Sequence, residues 1–119
     1  MTAYQSLEAR FKRIAAINNA EGILHWDSET MMPAGAATPR AEVLAELSVM
    51  THELITDAAL PDLIAEAGED ASLSPWQRAN LREIARYHLH ASAIPADLVE
   101  KTVMARSDSV MSWREARPA

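Results

Sequence analysis

Cysteine is absent from the sequence, and glycine is scarce, with three residues in a chain of 119. Without cysteine the chain has no disulfide, no thiolate ligand for a metal and no cysteine nucleophile. No segment approaches the roughly 20 consecutive apolar residues that a membrane-spanning helix requires. Residues 1–5 lack the basic flank and apolar stretch of a secretory signal. These absences predict a cytoplasmic protein that does not bind a membrane.

Basic residues are in the minority, since 11 Lys and Arg stand against 17 Asp and Glu, for a formal net charge of −6. This balance argues against a nucleic-acid partner, because nucleic-acid-binding domains usually present a basic surface. Hydrophobic residues make up 49% of the chain and charged residues 24%, as in ordinary globular domains. The length and composition therefore predict one folded domain over residues 1–119.

Strand-like alternation is also missing, whereas Ala, Leu, Glu and Arg, which favour helices, are abundant. Four apolar residues near the start recur at helical spacing: Tyr4, Leu7, Phe11 and Ile14. They predict a first helix from about Thr2 to Asp27. The next segment, 28–35, contains proline and glycine without a period and predicts a loop.

The second long helix is predicted to begin at Thr38–Pro39, with Thr38 as the N-cap and Pro39 at the first helical position. An apolar stripe follows at spacings of four, three and four: Val43, Leu47, Met50 and Leu54. Asp57 indicates the end of this helix. A short helix is predicted over about 59–67, with a break at Gly68.

Two proline-containing signals delimit the last two helices. Ser74 and Gln77 form a capping box around Pro75, because each side chain satisfies an unpaired backbone N–H. Ile94-Pro95 ends that helix, since proline disfavours a helical residue before it. The predicted apolar faces are Leu81, Ile84, Ala85, His88 and Leu89, then Val99, Val103, Arg106, Val110 and Trp113. Four long helices and one short one predict an all-α fold, either a helical bundle or helical hairpins.

The pair His52-Glu53 is the nearest approach to a metalloprotease motif. Such a motif places two histidines four residues apart on one helical face, with the glutamate between them as general base. Here the fourth position holds Thr56, whose hydroxyl is a poor zinc ligand. We therefore interpret His52 and Glu53 as ordinary residues of a helix surface.

The other histidines and nearby carboxylates are weaker candidates. His88 and His90 are two residues apart, so on a helix they point in divergent directions and cannot chelate one ion without a ligand from elsewhere. A partly buried, structural His88 is the preferred interpretation. His25 lies close to Asp27 and Glu29, but proximity in sequence does not supply the separation that an acid–base pair needs. Helix-end carboxylates are the commoner use of such residues.

Arginine recurs every four residues on the helix predicted after Ser74: Arg78, Arg82 and Arg86. Such a stripe can bind phosphate or a carboxylate. It is more often a solvated face that pairs with acids of a neighbouring helix. Three glutamates of the second helix are available for that pairing: Glu42, Glu46 and Glu53. From the residues alone, no catalytic, cofactor-binding or metal-ligating residue is predicted in this chain.

The segment Trp26-Asp27-Ser28-Glu29-Thr30-Met31-Met32-Pro33, followed by Gly35 and Arg40, resembles the amino-terminal region of the carboxypeptidase Taq family of metallocarboxypeptidases. Further stretches similar to that family follow in the same order: Glu46-Leu47-Ser48, His52-Glu53-Leu54, Ala79-Asn80-Leu81-Arg82-Glu83, Ile94-Pro95, Leu98-Val99, Trp113 and Ala116-Arg117. The resemblance extends from about Tyr4 to Arg117.

The resemblance implies an all-helical cytoplasmic enzyme that removes C-terminal residues from peptides. In that family a divalent metal of the zinc or cobalt type, held by a His-Glu-x-x-His helix and a downstream glutamate, activates water. Those motifs lie beyond the region matched here, so the resemblance transfers no catalytic or metal residue to this sequence. It implies an amino-terminal fragment of a larger peptidase, inactive alone and without a cofactor of its own.

The same resemblance sets the expected partners. They are the missing catalytic part of the same polypeptide and further copies of this chain, with a peptide substrate for the parent enzyme. The alternative is a stand-alone helical binding or oligomerisation module without catalysis. A third interpretation is a separate metalloprotein that uses His52, His88 and His90.

Trp26, Asp27 and Arg40 are expected to fix the turn between the first two long helices. In this hypothesis the indole of Trp26 packs under the loop. Asp27 pairs with Arg40 or caps the start of a helix.

Overall fold

The computed structural model describes residues 1–117, and within them the chain forms five α-helices and no strand. The helices are α1 (Ala3–Thr30), α2 (Ala37–Thr56), α3 (Leu60–Gly68), α4 (Pro75–Ser92) and α5 (Ala96–Ala116), and a 3₁₀ turn at Ala34–Ala36 leads into α2. The predicted all-α fold, with four long helices and one short one, is confirmed. The last two residues of the predicted domain lie outside the described residues. Across the described chain, every helix is too short or too polar to cross a membrane.

Helices α1 and α2 form an antiparallel hairpin whose register is set by three polar contacts. Near the turn Asp27 pairs with Arg40. In the middle, the Ser48 hydroxyl donates to Glu21 at 2.7 Å. At the open end, Arg10 donates to Asp57 at 3.0 Å. Residues late in α1 contact residues early in α2, and residues early in α1 contact residues late in α2, so the two helices run in opposite directions.

The remaining helices cover different parts of this hairpin. Helix α3 packs on the first half of α1, α4 contacts α2 and α3, and α5 lies along α2. The resulting bundle is elongated, with principal extents of 57 × 25 × 21 Å.

The largest buried cluster joins the start of α1 to α3 and α4. Leu7 and Leu60 are completely buried at its centre. Its other buried members are Ala3, Tyr4, Ala67, Leu73 and Ile84. Full burial of each such leucine contributes about 1.5–3 kcal/mol.

Five further residues of α1, α2 and the turn between them are buried outside this cluster: Ile14, Met32, Ala41, Leu44 and Ala45. The two alanines allow close approach of the helices but bury little area per residue. No residue of α5, which packs on α2, is buried, so the core beneath α5 is thin.

The first predicted loop is wrong for residues 28–30, which extend α1. The hydroxyls of Ser28 and Thr30 donate to carbonyls four residues earlier, at 2.9 and 2.7 Å. These bonds keep polar side chains on the helix surface instead of breaking it.

The predicted start of α2 is also wrong. The helix begins at Ala37, and its N-cap is Ala36 rather than Thr38. The preceding 3₁₀ turn delivers the chain directly into the helix. Pro39 then lies in the first turn, where a missing N–H removes no intrahelical bond.

The capping box at Ser74 is confirmed. The Ser74 hydroxyl accepts from the Gln77 N–H at 3.2 Å, and the Ser74 N–H donates to the Gln77 side chain at 2.8 Å. The stop at Asp57 and the interruption at Ile94-Pro95 are confirmed as well. An equivalent box between Thr2 and Gln5 opens α1.

The predicted apolar stripes are wrong at four positions. Val43 is 47% exposed, Leu89 70% and Trp113 66%, and Arg106 is exposed as well. In α2 the buried face consists of Ala41, Leu44 and Ala45 instead. The helices meet through small side chains there, which turns several large apolar side chains outward.

Candidate functional site

The segment that carries the family resemblance forms the end of α1 and the turn after it. The carbonyl of Asp27 accepts the N–H groups of Met31 at 3.0 Å and Met32 at 2.8 Å. The Met32 side chain is buried, with 5% exposed. Pro33, in an extended conformation, then redirects the chain into the 3₁₀ turn.

Two arginines from other helices hold this turn. Arg40 of α2 forms an ion pair with Asp27, and both side chains are at least two-thirds buried, with 24% and 30% exposed. Arg114 of α5 donates to the carbonyls of Ser28 at 3.3 Å and Met32 at 3.2 Å. A cation near the last carbonyls of a helix also interacts favourably with the helix dipole. We call Asp27, Arg40, Arg114 and Met32 the first-turn junction.

A pocket of about 60 Å³ lies beside the first-turn junction, between α1, α2 and α5. Its lining includes four ionisable side chains: His25, Glu29, Arg40 and Arg106. A volume of this size accommodates a few water molecules but no peptide. One of these four side chains, Arg40, is already paired with Asp27.

The expectation about Trp26, Asp27 and Arg40 is confirmed for the ion pair and wrong for the indole. Asp27 pairs with Arg40 as expected, and the pair joins α1 to α2 across the turn. The expected burial of the indole is wrong, because Trp26 is 60% exposed. The turn leaves α1 toward α2, so the side of α1 that carries Trp26 stays uncovered.

The pair His52-Glu53 lies on the surface of α2, as interpreted from the sequence. The Thr56 hydroxyl donates to the His52 carbonyl at 2.8 Å and so serves the helix backbone. Glu53 is exposed. This arrangement has no second imidazole with which a metal could be held.

His88 is a half-buried structural residue, which confirms the interpretation from the sequence. Its Nδ1 lies 2.7 Å from the carbonyl oxygen of Ile55. Since a carbonyl only accepts, Nδ1 carries the proton and donates. His90 is exposed in the last turn of α4. His88 thus joins α4 to α2.

No group of three or more His, Asp or Glu side chains in residues 1–117 is arranged to hold a metal ion. The interpretation as a separate metalloprotein of His52, His88 and His90 does not fit this arrangement. Nor do the described residues fit the metal that the family name implies. The prediction that this chain holds no catalytic or metal residue stays a prediction.

Two of the three arginines in the α4 stripe, Arg78 and Arg86, contact groups that are close to them in sequence. Arg86 pairs with Glu83 of its own helix at 2.8 Å and lies 5.6 Å from the centre of the Tyr87 ring. The hydrogen bond with Glu83 raises the pKa of Arg86. Arg78 donates to the carbonyls of Asp70 and Ala71, both at 3.3 Å.

Arg82, the third residue of the stripe, is exposed. The expected pairing of the stripe with Glu42, Glu46 and Glu53 is wrong for residues 1–117, where the salt bridges involve none of the three. The acceptors that α4 arginines use lie on their own helix or in the loop before it.

Sequence reasoning missed a polar cluster at the other end of the hairpin. Arg10 donates to Asp57 at 3.0 Å and to the Leu54 carbonyl at 3.4 Å. The Ala59 N–H donates to the other Asp57 oxygen at 2.8 Å. The Ala59 hydrogen bond and then the Arg10 hydrogen bond lower the pKa of Asp57.

A second missed contact ties the start of α1 to α4. The Asn80 side chain donates to the buried Tyr4 hydroxyl at 2.9 Å. Asn80 belongs to one of the stretches that resemble the carboxypeptidase Taq family, and this was the available signal. Sequence spacing could not identify its partner, which is 76 residues away.

Comparison with known proteins gives one family and two relatives. The profile described as Carboxypeptidase Taq (M32) metallopeptidase matches residues 6–119. Thermostable carboxypeptidase 1 of Pyrococcus furiosus is 30% identical over 109 residues, covering 92% of this chain and 22% of the relative. Thermostable carboxypeptidase 1 of Thermus thermophilus is 29% identical over 119 residues, covering 98% of this chain and 23% of the relative.

This chain therefore spans less than a quarter of the length of the curated relatives that it matches. No solved structure matches it significantly.

Proposed function

Since this chain belongs to the carboxypeptidase Taq (M32) family of metallopeptidases, we propose that it is the amino-terminal helical part of a metal-dependent carboxypeptidase. Its parent removes C-terminal residues from peptides and uses a divalent metal of the zinc or cobalt type. The observation that carries this proposal is the family match over residues 6–119. We place the parent in the cytoplasm, a location with which the absence of cysteine is compatible.

The proposal assigns a supporting role to this chain rather than a chemical one. The described residues offer no metal site, and the pocket at the first-turn junction is too small for a peptide. The hairpin instead holds its helices in fixed register through the Arg10–Asp57 and Arg40–Asp27 pairs. In this proposal, the helices form one wall against which the catalytic part packs.

Exposed apolar side chains support the need for a partner. Within residues 1–117, eleven large hydrophobic residues are exposed, and the three tryptophans, Trp26, Trp76 and Trp113, are 60–79% exposed. Large apolar side chains that stay exposed in a folded chain are candidates for contact with a partner where they lie together. In the parent we propose that the catalytic part and further copies of the chain cover this surface. The isolated chain is then expected to self-associate at micromolar concentration, as measured by light scattering.

A peptidase assay tests the proposed role. The purified chain is incubated with an N-blocked dipeptide, with and without added zinc or cobalt, and release of the C-terminal amino acid is measured. We expect no release above a sample without protein. Metal-dependent release that co-purifies with the chain would contradict the proposal, because the chemistry would then reside in these residues.

The runner-up function is a stand-alone helical binding or oligomerisation module, and the same exposed tryptophans favour it. The two proposals differ in the size of the native protein. A module functions at the mass of this chain, whereas a peptidase part belongs to a much larger polypeptide.

A further inference from the structure

Helix α1 is covered along one side in its first half and open along the same side in its second half. Near the start, Tyr4, Leu7 and Phe11 pack into the cluster formed with α3 and α4. Residues seven and eleven positions after Phe11 return to the same side of a helix, and they are Asn18 and Gly22. Both are exposed. The surface that α3 begins to cover therefore continues without a partner.

A shallow, wide-open depression on the surface of α1 occupies this stretch. It is lined by five α1 residues: Asn18, Asn19, Gly22, Ile23 and Trp26. Ile23 is 68% exposed and Trp26 60% exposed, although both are large and apolar. None of the five carries a charge. We call this surface the α1 groove.

Neither the backbone conformation nor the packing of the described chain requires glycine at position 22, and the same is true of Gly35 and Gly68. The φ of Gly22 is not positive, so the backbone conformation does not require glycine. A Cβ placed there would meet nothing within 4 Å, so packing within the chain does not require glycine either. Glycine in a helix interior is destabilising relative to alanine. A glycine flanked by exposed Ile23 and Trp26 fits a site where another backbone approaches closely.

The surface area of the whole chain is large for its mass. The chain exposes 7968 Å², whereas a compact monomer of 13.1 kDa exposes about 6,400 Å². The excess is about 1,600 Å², and a standard-size interface covers about 800 Å² on each partner. The chain therefore has enough surplus surface for a stable interface.

We propose that the α1 groove binds an amphipathic helix from the catalytic part of the peptidase, a proposal that rests on the function proposed above. A helix-in-groove contact uses apolar side chains three, four and seven positions apart. Small side chains of the bound helix lie over Gly22, and larger apolar ones lie against Ile23 and Trp26. The bound helix extends the layer that α3 and α4 form on the first half of α1.

A helix of the same enzyme is preferred here to a second copy of this chain. The relatives contain more than three-quarters of their length outside the matched segment, which supplies such helices. The self-association expected of the isolated chain then involves other exposed apolar residues, such as Trp76 and Trp113.

The test compares Gly22→Gln in two settings. In the isolated chain, measured by circular dichroism at dilute concentration, the substitution should raise the melting temperature by about 2–4 °C, because glutamine favours a helix and meets no neighbour. The second setting is the full-length Pyrococcus relative with its matched segment replaced by this chain. There the substitution should lower the melting temperature by about 5 °C or more, since the side chain obstructs the bound helix.

Ala20→Gln is the matched control. Ala20 is exposed on α1, two residues from Gly22, and residues two apart point to nearly opposite sides of a helix. This variant should change the melting temperature by less than about 2 °C in either setting. Trp26→Glu is a second probe, which should destabilise the full-length protein but leave the isolated chain nearly unchanged.

The outcomes separate the groove proposal from the proposed function. If Gly22→Gln stabilises both proteins, the groove is not a contact, although the proposed function stands. If it dissociates a dimer of the isolated chain, the occupant is a second copy and the groove proposal is wrong. If the unsubstituted graft folds but shows no metal-dependent carboxypeptidase activity, the proposed function is wrong, whereas a lower melting temperature of its Gly22→Gln variant would still support the contact at the α1 groove.

Discussion

At the scale of single residues, polar pairs fix the register that the apolar residues leave open. The buried face of α2 is dominated by alanine, and alanine stripes distinguish poorly between neighbouring registers. Asp27–Arg40, Glu21–Ser48 and Arg10–Asp57 each join one α1 residue to one α2 residue. Sequence reasoning found the Asp27–Arg40 pair because its residues flank a short turn. It missed the Arg10–Asp57 pair because those residues are 47 positions apart.

Asp27→Ala should destabilise the chain by about 1–2 kcal/mol, because it removes a charge-assisted hydrogen bond and leaves a largely buried Arg40 without its carboxylate. Urea unfolding at pH 7 measures the change. Glu29→Ala is the control, since Glu29 is exposed in the same helical turn, and it should cost less than about 0.5 kcal/mol. Equal stability of Asp27→Ala and the parent sequence would show that the junction does not depend on this pair.

Asp57 makes the free energy of unfolding of the chain depend on pH in the acid range. Hydrogen bonds from Ala59 and Arg10 lower its pKa in the folded chain. The unfolded chain therefore takes up this proton at a higher pH than the folded chain does. The resulting stabilisation is complete above the unfolded pKa of about 4 and is lost as pH falls through the folded value.

Urea unfolding between pH 6 and pH 2 measures that dependence. The Asp57→Asn variant should lose less stability on acidification than the parent chain does. Asp70, whose pKa is lowered by hydrogen bonds from Ser72, contributes in the same direction and remains in the variant. An unchanged pH profile for Asp57→Asn would rule out the proposed contribution of Asp57.

At the scale of helices, ends were easier to predict than faces. Local chemistry decides a helix end, so Ser74-Pro75 and Ile94-Pro95 gave correct boundaries. The start of α2 was predicted wrongly because a 3₁₀ turn precedes the helix and no side chain caps it. Faces depend on which neighbours are present, and α2 turns Ala41 inward and Val43 outward. A prediction from apolar spacing alone favours the larger side chain, so it placed Val43 on the buried face of α2.

Ser74→Ala should cost about 1 kcal/mol, because the first N–H groups of α4 lose their acceptor. Ser109→Ala is the matched control, since Ser109 is exposed within α5 and alanine is the better helix former there. Thermal unfolding followed by circular dichroism compares the two. A Ser74→Ala variant that melts with the parent chain would show that the capping box contributes nothing to stability.

At the scale of the whole molecule, the chain is more extended than its length requires. Its radius of gyration is 17.6 Å, whereas a compact domain of 119 residues has about 13.5 Å. One end has a core with two completely buried leucines, while the other depends on alanine and on the first-turn junction. This shape is compatible with the role proposed above, as one layer of a larger helical protein. Composition predicted the helices and the ordered family resemblance predicted the family, but neither could predict which surfaces stay uncovered.

The central claim is that this chain is one part of a metallocarboxypeptidase whose chemistry lies elsewhere in the polypeptide. The most direct measurement is the size of the native protein that carries this sequence, by immunoblot of the source cells with an antibody against the chain. We predict a band roughly four times larger than 13.1 kDa, in keeping with a match to 22–23% of each relative. A single band at 13.1 kDa would contradict the claim and favour a free-standing helical module.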